Sequence, residues 1–331
     1  MKFATVLIAS QPRLIAQKDD SAPRQVQDLC AAIGVAAPAD MLAMVQAIDT
    51  DPTLAQRLAE GWQATAPVDM DSIEWLPPIT NPSKILGVAF NNKELMKKAH
   101  RDPGVPNFFL KPPSALQAHG KPIVVDPEWG AVIPEPEVCA VIGKRAKHIS
   151  AAQALDHVFG FMIHNDVTSH GLKFQKDSIA VTYDPDMVRP EFYTWRHLHG
   201  EDDRDAYYVY HTRSKGTDTF GPMGPWITTR DEVADPNDLT VRGWLDEELF
   251  TEDHTGNYRF RIEECIAEAS RYFTLEPGDL ISFGTTGKGA GRFPRGHKSL
   301  LIGEEQGTIA IEIAPLGRLE NPIKHQKGGA E

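Results

Sequence analysis

Only three cysteines, Cys30, Cys139 and Cys265, occur in 331 residues, far apart and each among apolar neighbours. An odd number at such spacing builds no disulfide framework, and no CxxC pair offers a cysteine metal motif. The three are expected as small buried residues in a reducing compartment. Long hydrophobic runs are missing too, since no stretch approaches the ~18 apolar residues of a membrane span. The opening MKFATVLIASQPR holds one apolar run of about six residues, short of the ~7 to 15 of a signal-peptide core. Phe3 to Ala9 is therefore expected to form a first strand, and the protein to be cytoplasmic. Positive charge is also scarce: 34 Lys and Arg stand against 46 Asp and Glu, a net charge of -12. That balance argues against non-specific binding to nucleic acid or to an anionic membrane surface. An anionic substrate would have to meet locally positive charge.

What is present is the composition of a soluble globular chain, 41% hydrophobic and 24% charged, long enough to bury a core without staples. After the first strand, Val26, Leu29, Cys30 and Ile33 fall at helical spacing. Helical stretches follow over Met41 to Ile48 and after TDPT, with Thr50 or Asp51 as N-cap. The prolines of WLPPITNPSK then mark a boundary. Beyond it, short β-like runs separated by Gly and Pro dominate, interrupted by a helix at SAAQALDHVFG with a Ser150/Gln153 capping box and another at RIEECIAEASRYF. The pattern predicts an α+β, predominantly β chain: a small N-terminal α/β domain over 1–80, a catalytic domain over 81–325 and a tail at 326–331. Residues 176–213, polar and without clean periodicity, read as an insertion.

The segment PEPEVCAVIGK sets two carboxylates, Glu135 and Glu137, on one side of an extended strand that runs into a buried apolar stretch. Like charges so placed need solvent, a lysine or a cation between them. A third carboxylate, Asp166, ends the run FGFMIHND. The helix begun at Ser150 can return the chain so that Asp166 joins the pair as an oxygen cluster suited to Mg²⁺, Mn²⁺ or Ca²⁺. Zinc fits poorly: the HLH pair His197 and His199 lacks a third nitrogen ligand at suitable spacing. The glycine-rich FGTTGKGAG matches no phosphate-loop pattern, yet the backbone around Gly284 and the Thr285 hydroxyl can meet a small ligand's oxygen.

These residues resemble the fumarylacetoacetate hydrolase superfamily. The likeness runs from about Ile85 to Ile323, through FFLKPPSAL with Lys111, PEPEVCAVIGK, ALDHVFGFMIHNDVT, SKGTDTFGPMGPWI with Lys215, and LEPGDLISFGTTGKGAG. The resemblance implies a mixed β-roll or β-sandwich catalytic domain, usually a homodimer, with Mg²⁺ or Mn²⁺ held by Glu135, Glu137 and Asp166. It also implies a small anionic 2-oxo acid or β-diketo acid as substrate and a metal-stabilised enolate, with Lys215 adding positive charge. Lys111, Thr285, Gly284 and His170 are expected to contact substrate.

Two departures touch the reaction. The family's lid His and Glu would fall at Lys93 and Met96 in GVAFNNKELMKKAH, so the usual water-activating pair is out of register, leaving Glu94, His100 or Lys93 as candidates to move the proton. After Asp166 the family's Arg and Asp are replaced by His170 and Gly171. The leading expectation is C–C hydrolysis of an acylpyruvate-like substrate in catabolism. The alternatives are a 2-keto-3-deoxy sugar acid dehydratase, an oxaloacetate-type decarboxylase, or a binder of 2-oxo acids without catalysis.

Overall fold

The computed structural model describes residues 1–97, 99, 102–182 and 205–326. The run VCAVI is apolar without alternation because its strand, Pro136–Ile142, is buried on both faces. Val138, Ala140 and Ile142 enter one hydrophobic cluster, whereas Cys139 and Val141 enter another. The antiparallel neighbour Val158–Asn165 sends Phe161 and Ile163 to the first cluster and Met162 to the second, and Phe159, at a register irregularity in the pairing, also joins the second.

These two strands lie mid-way in an eleven-stranded sheet among the described residues. On one side follow Leu280–Thr285, Ile85–Ala89 and the edge strand Asn107–Lys111; on the other come Gly221–Thr229, Lys2–Ile8 and Gln11–Gln17. A five-stranded sheet that includes Thr240–Leu245 and Thr308–Ile313 shares the first cluster through Val241, Leu245, Ile309 and Ile311. The second cluster is closed by Leu29, Met44 and Leu58 from the N-terminal helices Val26–Ala32, Met41–Thr50 and Leu54–Glu60. Mixed sheets with few helices make the fold α+β, as the sequence pattern predicts.

The N-terminal residues share this sheet: Lys2 and Phe3 pair with Thr228 and Ile227. The third helix starts later than expected, with Thr53 at its N-cap, because Asp51 instead accepts from the Thr53 backbone and hydroxyl and pairs with Arg57. The Ser150 helix is a single α-turn, Ala151–Ala154, that tightens into a 3₁₀ turn through His157. That short return makes Pro136–Ile142 and Val158–Asn165 adjacent and antiparallel, with Glu137 opposite His164. Within the expected insertion, Ser178–Thr182 and Asp205–Val209 pair antiparallel. His197 and His199 lie outside the described residues.

Candidate metal and substrate site

Asp166 follows directly on the Val158–Asn165 strand, and its backbone N–H donates to the Glu135 carbonyl at 2.9 Å. That bond ties the ends of the two strands together. Carboxylate oxygens of Glu135, Glu137 and Asp166 accordingly lie within 4.8 Å of one another. Glu137 is buried and accepts from the Ser282 hydroxyl at 2.6 Å and the Gly284 N–H at 2.9 Å. It stands opposite Thr285 in the sheet, beside a register irregularity that re-aims the strand. Ser282 also meets His164 Nδ1 at 2.7 Å. Thr168 donates to Glu135 at 2.8 Å, and the Asn165 side chain accepts from the Glu135 N–H at 2.9 Å.

Two lysines offset this negative charge. Lys215 donates to both Glu135 Oε2, at 2.5 Å, and Asp166 Oδ2, with its ammonium 4.6 Å from the Phe109 ring centroid. Lys111 lies 2.8 Å from Asp166 Oδ1 and donates to the Phe220 carbonyl at 2.6 Å. Burial would raise the Glu135 carboxyl, but the charge and hydrogen bond of Lys215, helped by His297, bring it down to about 2. Asp166 likewise stays well below the usual carboxylate range, where Lys111 and Lys215 together overcome its burial. Glu137 lacks a direct lysine partner, so burial and the Asp166 charge push it up to about 8, against the pull of the more distant Lys215 and the donation of Ser282. Burial drives His164 down to about 3 and keeps it neutral.

The donor set fits a hard divalent cation: three clustered carboxylates, a neighbouring buried Thr285 hydroxyl without a hydrogen-bond partner, and a lysine ammonium already standing against two of the ligands. Glu135, Glu137 and Asp166 would hold it.

The triad faces a cavity of about 230 Å³. Of the expected substrate contacts, His170 and Thr285 line it, and Gly284 lies behind, bonded to Glu137. Lys111 does not reach the cavity; it is buried behind Asp166 because its ammonium is committed to that carboxylate and to Phe220. Lys93 and Glu94 do not line it either. Lys93 points outward and donates to the Gly256 carbonyl at 3.0 Å, and Glu94 pairs with Lys97 at 2.7 Å. His100 lies outside the described residues.

Other lining residues escaped the sequence reading. Lys173 sits one helical turn after His170 on the His170–Gln175 helix, a spacing that places both on one side. His211, from the end of the insertion, and Lys298 reach the cavity from distant segments with no local signal. Burial lowers His170, and takes His211 down to about 4, so both are neutral bases near pH 7. His297 is fully buried near Glu135, with Nε2 3.8 Å from Oε1.

Residues 84–324 match the family profile described as fumarylacetoacetate (FAA) hydrolase C-terminal. The chain belongs to the fumarylacetoacetate hydrolase family. Within this family, it is 30% identical over 253 residues to a mitochondrial oxaloacetate tautomerase of Xenopus laevis, covering 76% of this chain and 69% of that one. An uncharacterised protein of Pyrococcus abyssi is 34% identical over 233 residues, covering 70% of this chain and 90% of its own. The solved maleylpyruvate hydrolase of Sphingobium sp. SYK-6, in complex with manganese(II) and pyruvate, superposes with a TM-score of 0.72 at 24% identity, covering 99% of this chain and 100% of that one. That likeness establishes the fold. Among the described residues, no helix is long and apolar enough to cross a membrane.

Proposed function

We propose that this family member is an enzyme that enolises a dianionic 2-oxo acid, interconverting its keto and enol forms with Mg²⁺ or Mn²⁺ bound by Glu135, Glu137 and Asp166. The observation that carries this reading is the charge and chemistry of the cavity lining. Its carboxylates are those of the triad, and Lys173, Lys215 and Lys298 face them. With a divalent cation added, and Lys111 already paired with Asp166 behind the cavity, positive charge at the site exceeds that of the carboxylates, which suits an anionic ligand with a second carboxylate.

When bound, the cation supplies a Lewis acid for adjacent carboxylate and keto oxygens. The chain's own residues do the rest. Thr285 offers its unpaired hydroxyl to the ligand's carboxylate. Lys215 places positive charge where the keto oxygen gains electron density. Neutral His170 and His211 are the lining groups able to take a proton from the carbon beside the ketone and deliver one to the keto oxygen, giving the enol, or to run that transfer in reverse. Lys173 and Lys298 suit a second carboxylate. Tautomerisation needs only this proton movement, whereas hydrolysis also needs a base for water; Lys93 and Glu94 are turned away from the cavity.

The test follows the absorbance of enol-oxaloacetate with metal-loaded protein. The reading expects its decay to accelerate over buffer and metal alone, and to return to that background with a chelator. No acceleration rejects it. A second reading, C–C hydrolysis of an acylpyruvate, is favoured by one feature: neutral His170 in the cavity is also able to take a proton from water. Release of pyruvate from acylpyruvates distinguishes the two.

A further inference from the structure

Phe90 follows the Ile85–Ala89 strand, lines the cavity and leaves 53% of its surface exposed, with φ at 55°. A bulky residue in the left-handed region carries strain and keeps it only where its surroundings enforce it. The next two residues, both buried, provide that enforcement. Asn91 Nδ2 donates to the Phe283 carbonyl at 2.8 Å and the Phe260 carbonyl at 3.1 Å, and its Oδ1 accepts from Phe260 N–H at 2.8 Å. Asn92 Nδ2 donates to Asp253 at 3.0 Å and to the Thr285 carbonyl at 3.2 Å, while its Oδ1 accepts from Glu94 N–H at 2.9 Å.

Gly287 completes the clamp. A Cβ there would come within 2.3 Å of Asn92 Oδ1, and its N–H donates to Asp253 at 2.6 Å. The segment bearing Phe90 is thus fastened to the strand end bearing Thr285. Phe90 takes no part in the hydrophobic core. Its ring faces the same cavity as Leu95, Phe109 and Phe174, opposite in character to the lysines. A strained, exposed ring held so firmly serves the ligand rather than the fold.

We propose that Phe90 is a specificity-determining residue, packing its ring on the part of the substrate beyond the 2-oxo acid group and favouring planar, unsaturated or aryl substituents there. The proposal rests on the chelation of a 2-oxo acid argued above. Asn91 and Asn92 are the positioning residues that aim the ring.

Calorimetry on the Mn²⁺-loaded full chain tests it with two probes. Oxalate carries only the chelating oxygens; benzoylformate adds a phenyl ring and has no enolisable hydrogen. The ratio of benzoylformate to oxalate affinity is expected to fall about threefold to tenfold in Phe90→Ala, the range of an aromatic contact. Phe90→Leu, which keeps the bulk without the flat ring, is expected to fall in between and guards against a folding failure. An unchanged ratio in both variants overturns the role of Phe90 alone. Wild-type protein that binds neither probe overturns the chelation reading and the proposal with it.

Discussion

Lys215 donates to Asp166 across 49 positions of sequence, in a site where both side chains are buried. The ammonium does for the metal-free protein part of what a cation would do, since Glu135, Glu137 and Asp166 cannot share a buried site without opposing charge. Replacing Lys215 by Met removes that compensation. The variant is expected to lose about 3–5 kcal/mol of stability without metal, and Mn²⁺ is expected to raise its unfolding midpoint more than that of the wild type. Thermal unfolding with and without Mn²⁺ measures this, and equal metal-induced shifts would contradict it.

Lys173 and Lys298 lie in the cavity wall apart from the triad's own lysine contacts. A charge-assisted hydrogen bond to a second carboxylate contributes about 1.5–3 kcal/mol. Lys173→Met and Lys298→Met should therefore each raise KM for oxaloacetate by about tenfold or more. Proton exchange at the methyl group of pyruvate, followed by NMR, should change less, because pyruvate has no second carboxylate.

Lys93→Ala and Glu94→Ala are expected to alter turnover by no more than about fivefold, the scale of an exposed pair. Lys93 bonds to Gly256 and Glu94 to Lys97, both on the outer side of the segment. A loss of several orders of magnitude in either variant would return the proton transfer to this segment.

Much of the site was legible in the sequence where its causes were local. Glu135 and Glu137 share a side because strand geometry alternates, and Asp166 meets them because one short helical turn returns the chain beside its predecessor. Lys93, Glu94 and Lys111 do not line the cavity, for a different reason. Neighbourhood in sequence or match to a motif says which segment approaches the site, but side-chain direction is decided by partners far along the chain. Lys111 is drawn to Phe220, 109 positions away, and Asn92 to Asp253, 161 positions away. The same holds for His211 and Lys298, which reach the cavity only through tertiary packing. The expectation of a boundary near residue 80 rests on the prolines and the change to short β-like runs in the sequence. Composition could not reveal that Lys2–Ile8 pairs with Gly221–Thr229 in the central sheet.

Asn91 makes three hydrogen bonds that join the end of the Ile85–Ala89 strand to Phe260 and Phe283. Asn91→Ala leaves those buried backbone groups unpaired, at a cost of about 1–3 kcal/mol each. Urea unfolding should show a lower midpoint with an unchanged slope. An unaltered midpoint would mean that the clamp on Phe90 is not supported by this residue.

The central claim is that Glu135, Glu137 and Asp166 form a divalent metal centre, and calorimetric titration of Mn²⁺ tests it most directly. Wild-type protein is expected to bind one ion per chain, and Glu135→Gln and Asp166→Asn, which keep shape and remove charge, are expected to weaken binding by at least about a hundredfold. Unchanged Mn²⁺ affinity in both variants, with folding intact by circular dichroism, would contradict the account.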